Sequence, residues 1–536
     1  MPNKDEAITT NVVEKGLKSG AIDTVASTVI GVASTAPAYS IAATLGLVAV
    51  VVGVRSPAIL LVSFVPMLFI AASMYYFNIV DPDCGTTFSW VTRAFGPRQG
   101  WMNGWATIAS DIVVMPSLAL IAAQYTFLLF NLTALSNNWF WVCVLGCVYI
   151  ALMTWVCYLG IELNARTQFW LLGAEVIVLA AFAVVALIKV YAFHPAGSID
   201  PSFAWMNPFT GSASDLSAGV LAAVFIYWGW DTSGTVNEET ANSTRSPGYA
   251  MVASTVVLLL IYVIVAIAAT AFAGPKFLAA NPNDILDAMG ARVLGTPWDK
   301  LLIIAVLTSA MASAQTTILP TARTTLAMAH HGAMTKAWGK THPKHHTPTW
   351  STIWMGVASI LWYIFLVVVD HSGNILSDSI SGLGFSICFY YAIAAYACPV
   401  YFRKFIFKSV KNCLFMAVAP VLGAASLTWV FVKSAFFYWN PNNAMSPPWL
   451  KIGHFSGVGA PFVIGIGILV IGIPLMYWQK AVSPEFFHRK LEVAVSMEDG
   501  SAPGAWLGEE EPDESASGNS RMPQPDQPDA PTPDIS

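Results

Sequence analysis

The segment FIYWGWDTSGTVNEET, residues 225–240, places acidic residues in a run that begins as apolar. Gly229 and Asp231 interrupt the run, and Glu238 and Glu239 lie at its end. An ionisable side chain in the middle of a membrane costs a few kcal/mol on insertion scales, so each such acid is a candidate functional group. A carboxylate at an interruption can bind a cationic group or carry a proton, and carboxylates at the end of the run can pair with arginines.

Two further acids lie inside apolar runs, Glu175 in TQFWLLGAEVIVLAAF and Asp111 in TIASDIVVMPS. Burial favours the uncharged form of a carboxyl group, which suits a proton carrier working near neutral pH. Glu175 could equally ligate a sodium ion, or it could bond a hydroxyl on a neighbouring helix such as that of Ser309. Asp111 would favour a substrate with an additional positive charge, and the alternative is a bond to a neighbouring helix.

The composition around these acids is that of a membrane protein. Apolar residues make up 56% of the 536 residues and charged residues only 11%, whereas a soluble domain carries about 25% charged residues. Residues 251–273, 352–369 and 458–478 approach the roughly 20 apolar residues that span a bilayer. We therefore predict an all-α polytopic membrane protein embedded in a lipid bilayer.

We predict twelve transmembrane helices, at residues 21–50, 57–79, 101–130, 138–159, 167–191, 216–239, 249–273, 298–329, 350–370, 376–402, 412–436 and 457–479. With the N-terminus inside, 19 of the 26 Lys and Arg residues lie on the cytoplasmic side. This asymmetry predicts that both termini are cytoplasmic. The expected domains are a cytoplasmic tail (1–18), a transmembrane domain (19–480) and a disordered acidic tail (481–536), because the last segment is rich in acids, Pro and Ser.

The sequence lacks the motifs that several classes of function require. It has no nucleotide-binding loop, which argues against direct ATP drive, and no metal-hydrolase motif. The seven cysteines are odd in number and lie mostly in apolar runs, as expected of buried apolar residues rather than a disulfide framework. We predict no enzyme activity, no cofactor, no metal site and no nucleic-acid partner.

Two of the predicted spans are interrupted near their middles. The first contains GVASTAPAYS, in which Pro37 cannot continue the hydrogen-bond pattern of a helix. The sixth contains WGWDTSG, five helices later. Breaks at matched positions are typical of transporters built from inverted repeats, although an ordinary proline kink and a glycine packing contact are the alternative. Freed amide and carbonyl groups at such breaks suit the carboxylate and ammonium groups of a zwitterionic amino acid.

Three segments together resemble the amino acid–polyamine–organocation transporters. They are DPDCGTTFSWVTRAFGPRQGWMNGW, FIYWGWDTSGTVNEETANSTRSPGYA and ASAQTTILPTARTTLAMAHHGAMTKAWGKTHPKHHTPTW, within a resemblance covering about residues 16–480. The resemblance implies a five-plus-five inverted-repeat core with broken helices 1 and 6 and two further helices. It also implies carriage of amino acids or amines, commonly by proton symport or exchange. Asp231 falls on the acid of the family's sixth helix, and Glu175 falls where some members place a titrating lysine.

The expected site residues fall into three groups. The expected substrate-binding residues are Ser34, Thr35, Ala36, Asp111, Phe225, Tyr227, Trp228, Gly229 and Trp230. The expected coupling residues are Glu175, Asp231 and Ser309. The expected cytoplasmic gate comprises Glu238, Glu239, Arg93 and Arg323.

The expected function is secondary active transport of amino acids across the plasma membrane, with a proton, or else sodium, as the coupling ion. The alternatives are a polyamine or organic-amine carrier, favoured by Asp111, and a non-transporting amino acid sensor with the C-terminal tail as its signalling part.

Overall fold

The computed structural model describes residues 15–488 except 213–215, 217–218, 221–222, 282–284, 371–373 and 452–456. The described chain is helical and contains no strand, only isolated β-bridges such as the one between Ile22 and Thr240. The expected tails, residues 1–18 and 481–536, fall largely outside the described residues.

The α-helices of the described chain are named here in chain order. They are α1 (Thr24–Ser34), α2 (Pro37–Val52), α3 (Ser56–Val80), α4 (Thr87–Phe95), α5 (Pro97–Leu129), α6 (Thr133–Ser136), α7 (Trp139–Leu159), α8 (Ile161–Phe193), α9 (Thr232–Thr235), α10 (Ser246–Ala280), α11 (Ile285–Val293), α12 (Lys300–His330), α13 (Thr349–Val369), α14 (Asn374–Tyr401), α15 (Val410–Cys413), α16 (Ala419–Trp439), α17 (Ala460–Val482) and α18 (Pro484–His488).

Within the described residues, ten helical stretches are long and apolar enough to cross a membrane, which confirms the polytopic helical class. The first of them, Thr24–Val80, comprises α1, α2 and α3 and has 57 residues. At 1.5 Å per residue its helices could cross a bilayer of about 30 Å twice. The predicted sixth span, 216–239, lies partly outside the described residues, so the count of twelve stays a prediction.

Helix α12 forms the centre of the bundle and carries much of the polar chemistry. Residues 312–329 are all buried, and the helix packs against α1, α2, α5 and α8. The peripheral helix α7 instead exposes large apolar side chains such as Trp155 on one face, as expected where the neighbour is lipid. Polar side chains on α12 are therefore held in a protein interior, where they need partners.

Candidate functional site

The first helix break lies between α1 and α2, within the segment where the sequence predicts it. Helix α1 ends at Ser34, Ala36 adopts a left-handed conformation (φ 48°, ψ 68°), and Pro37 opens α2. The freed groups find side-chain partners: the Ser34 carbonyl accepts from Ser313 Oγ at 2.8 Å, and the Thr35 carbonyl accepts from Ser40 Oγ at 2.6 Å. The break is thus an unwound stretch with its own hydrogen-bond network.

The second break lies between the 3-10 turn Phe225–Tyr227 and the short helix α9. Trp228 is extended and Gly229 has φ 117°, a conformation that disfavours any side chain. A Cβ on Gly229 would lie 3.0 Å from the carbonyl carbon and oxygen of Ser34. In addition, the hydroxyls of Ser34 and Thr232 are 2.9 Å apart. The two breaks therefore abut each other in the middle of the bundle.

Asp231 lies at the second break with both carboxylate oxygens bonded to α14. Tyr391 donates to Oδ1 at 2.8 Å and Tyr390 donates to Oδ2 at 3.3 Å. Tyr390 in turn accepts a hydrogen bond from the indole nitrogen of Trp228. Asp231 is 7% exposed. The predicted acid is thus linked to a predicted aromatic residue through tyrosines that the sequence analysis did not single out.

Glu175 lies at the first break, where it binds the start of α2. Its Oε1 accepts from the Ala38 amide at 2.6 Å and from Ser309 Oγ at 2.8 Å. Ser309 Oγ also accepts from the Tyr39 amide at 3.3 Å. A carboxylate at a helix N-terminus is stabilised by the exposed amides there. The second oxygen, Oε2, is buried with no hydrogen-bond partner among the described residues.

Asp111 is buried on α5 and makes a bond to a neighbouring helix. Its Oδ2 accepts from Thr321 Oγ1 on α12 at 2.7 Å. No ion pair joins Asp111, Glu175 or Asp231 to a cation within the described ranges. The bundle therefore contains three buried acids without a cationic partner there.

The remaining aromatic candidates are buried around the second break. The ring of Tyr227 lies 5.2 Å from that of Tyr262 and 6.1 Å from that of Phe64. The ring of Trp230 lies 5.4 Å from that of Tyr391. Phe225 is 8% exposed. The rings of Tyr227 and Trp230 thus pack against α3, α10 and α14 beside the second break.

Glu239 and Arg323 form the strongest contact of the predicted gate. Arg323 Nε donates to Glu239 Oε2 at 2.7 Å and its terminal nitrogen donates to Oε1 at 3.0 Å. This is the two-point geometry in which arginine binds a carboxylate most strongly. Arg93, which the sequence analysis offered as a partner for Glu238 or Glu239, instead contacts Asp81 and Asp83.

Glu238 belongs to a separate cluster centred on Lys15. The Lys15 ammonium group bonds Glu238 Oε1 and lies 3.2 Å from Asp83 Oδ1 and 3.6 Å from Cys84 Sγ. The ligand atoms of Asp83, Cys84 and Glu238 lie within 4.8 Å of one another, a spacing that suits a cation. The lysine side chain, which is 2% exposed, supplies that cation.

The charges of this cluster shift the protonation equilibria of its members. Burial opposes the ionisation of Asp83, but Lys15, His331 and Arg93 together hold its pKa well below the usual value. His331 Nε2 lies 2.7 Å from Asp83 Oδ2. Burial also opposes the charge on Lys15, yet Asp83 and Glu238 raise its pKa above the usual lysine value. Lys15 and Asp83 are therefore both charged at neutral pH.

Sequence reasoning missed Lys15, Asp81, Asp83 and His331 as members of this cluster. The acids stand in the run DPDCGT directly after an apolar span, and two acids so close to a membrane end are a signal that a partner is required. The partner itself had no local signal, because Lys15 is 223 positions from Glu238 in the chain.

Taken together, the structure brings the two breaks into contact and links several segments of the bundle through buried ion pairs. The abutting breaks bring Ser34 next to Gly229, and Asp231 lies two residues beyond. Glu175 and Ser309 bind the amides of Ala38 and Tyr39, at the start of the helix that follows the first break. The Glu239–Arg323 pair and the Lys15 cluster join the chain before α1 and the loop after α3 to the ends of the sixth and eighth predicted spans.

Comparison with known proteins identifies a family for most of the chain. The family model described as amino acid permease matches residues 22–452.

Three relatives illustrate the range of similar proteins. An uncharacterized transporter of Mycobacterium tuberculosis is 26% identical over 341 residues, covering 61% of this chain and 70% of the relative. The Asc-type amino acid transporter 1 of Homo sapiens is 22% identical over 429 residues, covering 77% of this chain and 74% of the relative. The branched-chain amino acid permease BcaP of Lactococcus lactis is 22% identical over 421 residues, covering 75% and 83% respectively.

Proposed function

Because the chain belongs to the amino acid permease family, a family of transporters rather than enzymes, we propose that it is a secondary active transporter of amino acids in the plasma membrane. The observation that carries this proposal is the contact between the two helix breaks, where Gly229 lies against the backbone of Ser34. Irregular backbone at membrane depth is tolerated where it lines a cavity or is buried in protein. Here it concentrates unwound amide and carbonyl groups at one place in the bundle.

The proposed topology is twelve spans in a five-plus-five inverted-repeat core, with both termini in the cytoplasm. The 57-residue stretch Thr24–Val80 supports two crossings before α4, and the interrupted segment 216–239 supplies the sixth. The excess of Lys and Arg in alternate loops supports the orientation.

The proposed substrate site lies between the breaks. The carbonyls of Ser34, Thr35 and Ala36 would bind the ammonium group of the amino acid, since a carbonyl oxygen that already accepts one hydrogen bond has a second lone pair. The amides of Thr35 and Ala36 donate to the carbonyls of Val32 and Ala33 at 3.2 and 3.0 Å, so they would exchange these bonds for the substrate carboxylate. The side chain of the substrate would then face the aromatic wall that includes Trp228 and Trp230. Substrate size would be limited on one side by the contact at Gly229, where a Cβ would already lie 3.0 Å from the Ser34 carbonyl.

The proposed coupling ion is a proton carried by Glu175, with Asp231 as a second carrier. The unpartnered Oε2 of Glu175 supports this assignment, because a buried charged oxygen without a partner is costly and protonation removes the charge. Sodium is the competing ion, since a buried carboxylate and the Ser309 hydroxyl are oxygen ligands suited to a hard cation.

The proposed cytoplasmic gate is the set of ion pairs around Glu238 and Glu239. Their partners come from distant parts of the chain, Lys15 from the segment before α1 and Arg323 from α12. With these pairs formed, the cytoplasmic side is closed. Opening toward the cytoplasm would require them to separate.

A second candidate function is a carrier of polyamines or other organic amines, and Asp111 is the observation that favours it. Asp231 Oδ2 accepts from the Tyr390 hydroxyl at 3.3 Å, and Asp111 Oδ2 accepts from Thr321 Oγ1 at 2.7 Å. In the described ranges neither has a cationic partner. A substrate with two positive charges would provide one for each carboxylate.

Uptake into proteoliposomes tests the proposal. Radiolabelled neutral, acidic and basic amino acids, together with putrescine, would be offered with a pH gradient, a sodium gradient, or excess unlabelled substrate inside. We expect saturable accumulation of an amino acid. Accumulation of putrescine alone would establish the amine carrier, and amino acid binding without uptake or exchange would establish a sensor.

A further inference from the structure

A basic surface extends from the end of α14 into α15, outside the site described above. It comprises Arg403, Lys404, Lys408 and Lys411, and all four side chains are exposed. None of them forms an ion pair in the part of the chain that the structure describes. Four unpaired cations within nine residues make this segment a concentrated positive surface, which we call the basic loop.

The neighbouring sequence supplies no compensating charge. No Asp or Glu occurs between Asp378 and Glu485, a stretch that includes the whole basic loop, α14 after its first five residues, and α15 to α17. Cations packed so closely repel one another unless an anion lies nearby. The complementary charge must therefore come from a distant part of the chain or from outside it.

The basic loop is held in a defined shape. The Asn412 side chain donates to the Phe405 carbonyl at 3.2 Å, and the Asn412 amide donates to Ser409 Oγ at 3.1 Å. The Lys408 ammonium group lies 4.6 Å from the centre of the Phe405 ring. The loop thus presents its charges from an ordered backbone rather than from a free tail.

Two large apolar side chains protrude among the cations. Phe407 is 89% exposed and Val410 is 87% exposed. The loop directly joins two candidate spans, Asn374–Tyr401 and Val410–Trp439, so it lies at the edge of a bilayer. Cations beside exposed apolar residues are the combination that binds at a lipid interface, where the apolar groups enter the acyl boundary and the charges meet the headgroups.

We propose that the basic loop binds anionic phospholipid headgroups of the adjoining leaflet, with Phe407 and Val410 inserted between the lipids. Each Lys or Arg near an anionic membrane surface contributes about 1 kcal/mol of attraction, roughly a fivefold change in affinity. An acidic peptide, such as residues 489–536 of this chain with 11 acids against 3 bases, is the competing occupant. The position of the loop between two spans favours lipid.

A consequence for the transporter follows from the contacts of the loop. Tyr401 and Phe402, which immediately precede Arg403, pack on Phe77 at ring distances of 5.2 and 5.5 Å. Phe77 also stacks on Trp90 of α4 at 5.1 Å. Lipid bound to the basic loop would therefore hold the end of α14 against the loop that carries Asp81 and Asp83.

The test is a titration of full-length protein in neutral detergent with phosphatidylglycerol, using phosphatidylcholine as the neutral comparison. Thermal unfolding reports binding, because a lipid that binds the folded state raises the unfolding temperature. The variant replaces Arg403, Lys404, Lys408 and Lys411 with Gln. The matched control replaces Lys336, Lys340 and Lys344, the exposed lysines of another loop, with Gln as well. A second variant, Phe407→Ser with Val410→Ser, keeps all the charges.

We expect phosphatidylglycerol to raise the unfolding temperature of the wild type, and the four-Gln variant to need at least about tenfold more lipid for half the effect. The lysine control should respond as the wild type does, and the Phe407/Val410 variant should be intermediate. An equal response of the four-Gln variant and the wild type would overturn the proposal. The proposal would also be overturned if a chain ending at His488 bound phosphatidylglycerol at least about tenfold more tightly than the full chain does. The acidic tail would then be the occupant of the basic loop.

Discussion

Arg323 and Glu239 form a two-point ion pair in which neither side chain is more than 2% exposed. Two charges so deeply buried are stable only as a pair, because each would otherwise be a lone charge in an apolar interior. The exposed pair of Lys18 and Glu162, with side chains 52% and 60% exposed, is a contrasting case in the same chain. It lies in water, where attraction between charges is weak.

Replacing Arg323 with Met should destabilise the protein by about 3–5 kcal/mol, because Glu239 is then left buried and unpaired. The double variant Arg323→Met, Glu239→Leu should recover much of that loss. Thermal unfolding in detergent measures both. Glu162→Gln, which breaks the exposed pair, should change stability by less than about 1 kcal/mol. Equal losses from Arg323→Met and Glu162→Gln would contradict the role given to burial.

Replacing Gly229 with Ala should lower substrate affinity by at least about tenfold, a loss of about 1.4 kcal/mol. The new Cβ would lie 3.0 Å from the Ser34 backbone, and φ at this position is 117°. Ala36→Trp should abolish binding by filling the first break. The matched control is Gly173→Ala, whose Cβ meets nothing within 4 Å. Substrate-induced thermal stabilisation is the readout, and unchanged affinity in both Gly229→Ala and Ala36→Trp would put the pocket elsewhere.

The sequence was sufficient for features with a local cause. Pro37 cannot continue a helix, and Gly229 beside Asp231 interrupts an apolar run, so both breaks could be located. The buried acids could be located as well, because each is a charged residue among apolar neighbours in the sequence. Their partners could not, because Tyr390 and Tyr391 look like any aromatic residues on an apolar helix. Which tyrosine meets Asp231 depends on how α14 packs, and a single sequence does not contain that information.

The partners of the gate residues were also only partly predictable from the sequence. The sequence analysis paired Glu238 and Glu239 with nearby arginines, and Arg323 is indeed the partner of Glu239. Arg93 is held by Asp81 and Asp83, and Glu238 takes Lys15. Lys15 stands in a polar segment that looks like a solvated tail. Its burial results from contacts with Asp83, Cys84 and Glu238, which composition alone does not predict.

Replacing Lys15 with Met should make Cys84 accessible to thiol reagents. Cys84 is fully buried beneath the Lys15 side chain, and without the ammonium group the carboxylates of Asp83 and Glu238 repel each other. Alkylation of the Cys84 peptide, followed by mass spectrometry, should be at least about fivefold faster than in the wild type. Lys18→Met is the control, since Lys18 is half exposed. If both variants react at the wild-type rate, Lys15 does not hold the gate closed.

Stability should rise as the pH falls through about 6, because burial raises the pKa of Asp81 to about 6 even though the charge of Arg93 opposes the shift. An acid whose folded pKa exceeds its unfolded value of about 3.9 binds the proton more tightly when folded, so lowering the pH between these values favours the folded state. Asp83, with its pKa lowered, stays ionised in this window. Unfolding temperatures at pH 7.5 and 5.5 should differ less in Asp81→Asn than in the wild type; identical differences would assign the effect to other groups.

Glu175→Gln tests how transport is coupled to an ion gradient. The Gln side chain keeps an oxygen for the Ala38 amide and the Ser309 hydroxyl, which Glu175 binds at 2.6 and 2.8 Å, so the first break should remain intact. It cannot take up or release a proton, and it resembles the protonated carboxyl group. The variant should therefore bind substrate and exchange it across the membrane, but lose accumulation driven by a pH gradient.

The measurement is accumulation into proteoliposomes with an imposed pH gradient, with and without sodium, next to exchange of labelled for unlabelled substrate. Ser309→Ala is the companion variant, because it removes one bond to Glu175 and leaves the carboxyl group able to titrate; it should keep some pH-driven uptake. Wild-type accumulation by Glu175→Gln would make Glu175 a structural cap of α2. If the wild type instead requires sodium and ignores the pH gradient, the carboxylate is an ion ligand. In that case Glu175→Gln should weaken sodium dependence, because an amide oxygen carries no charge to hold the cation.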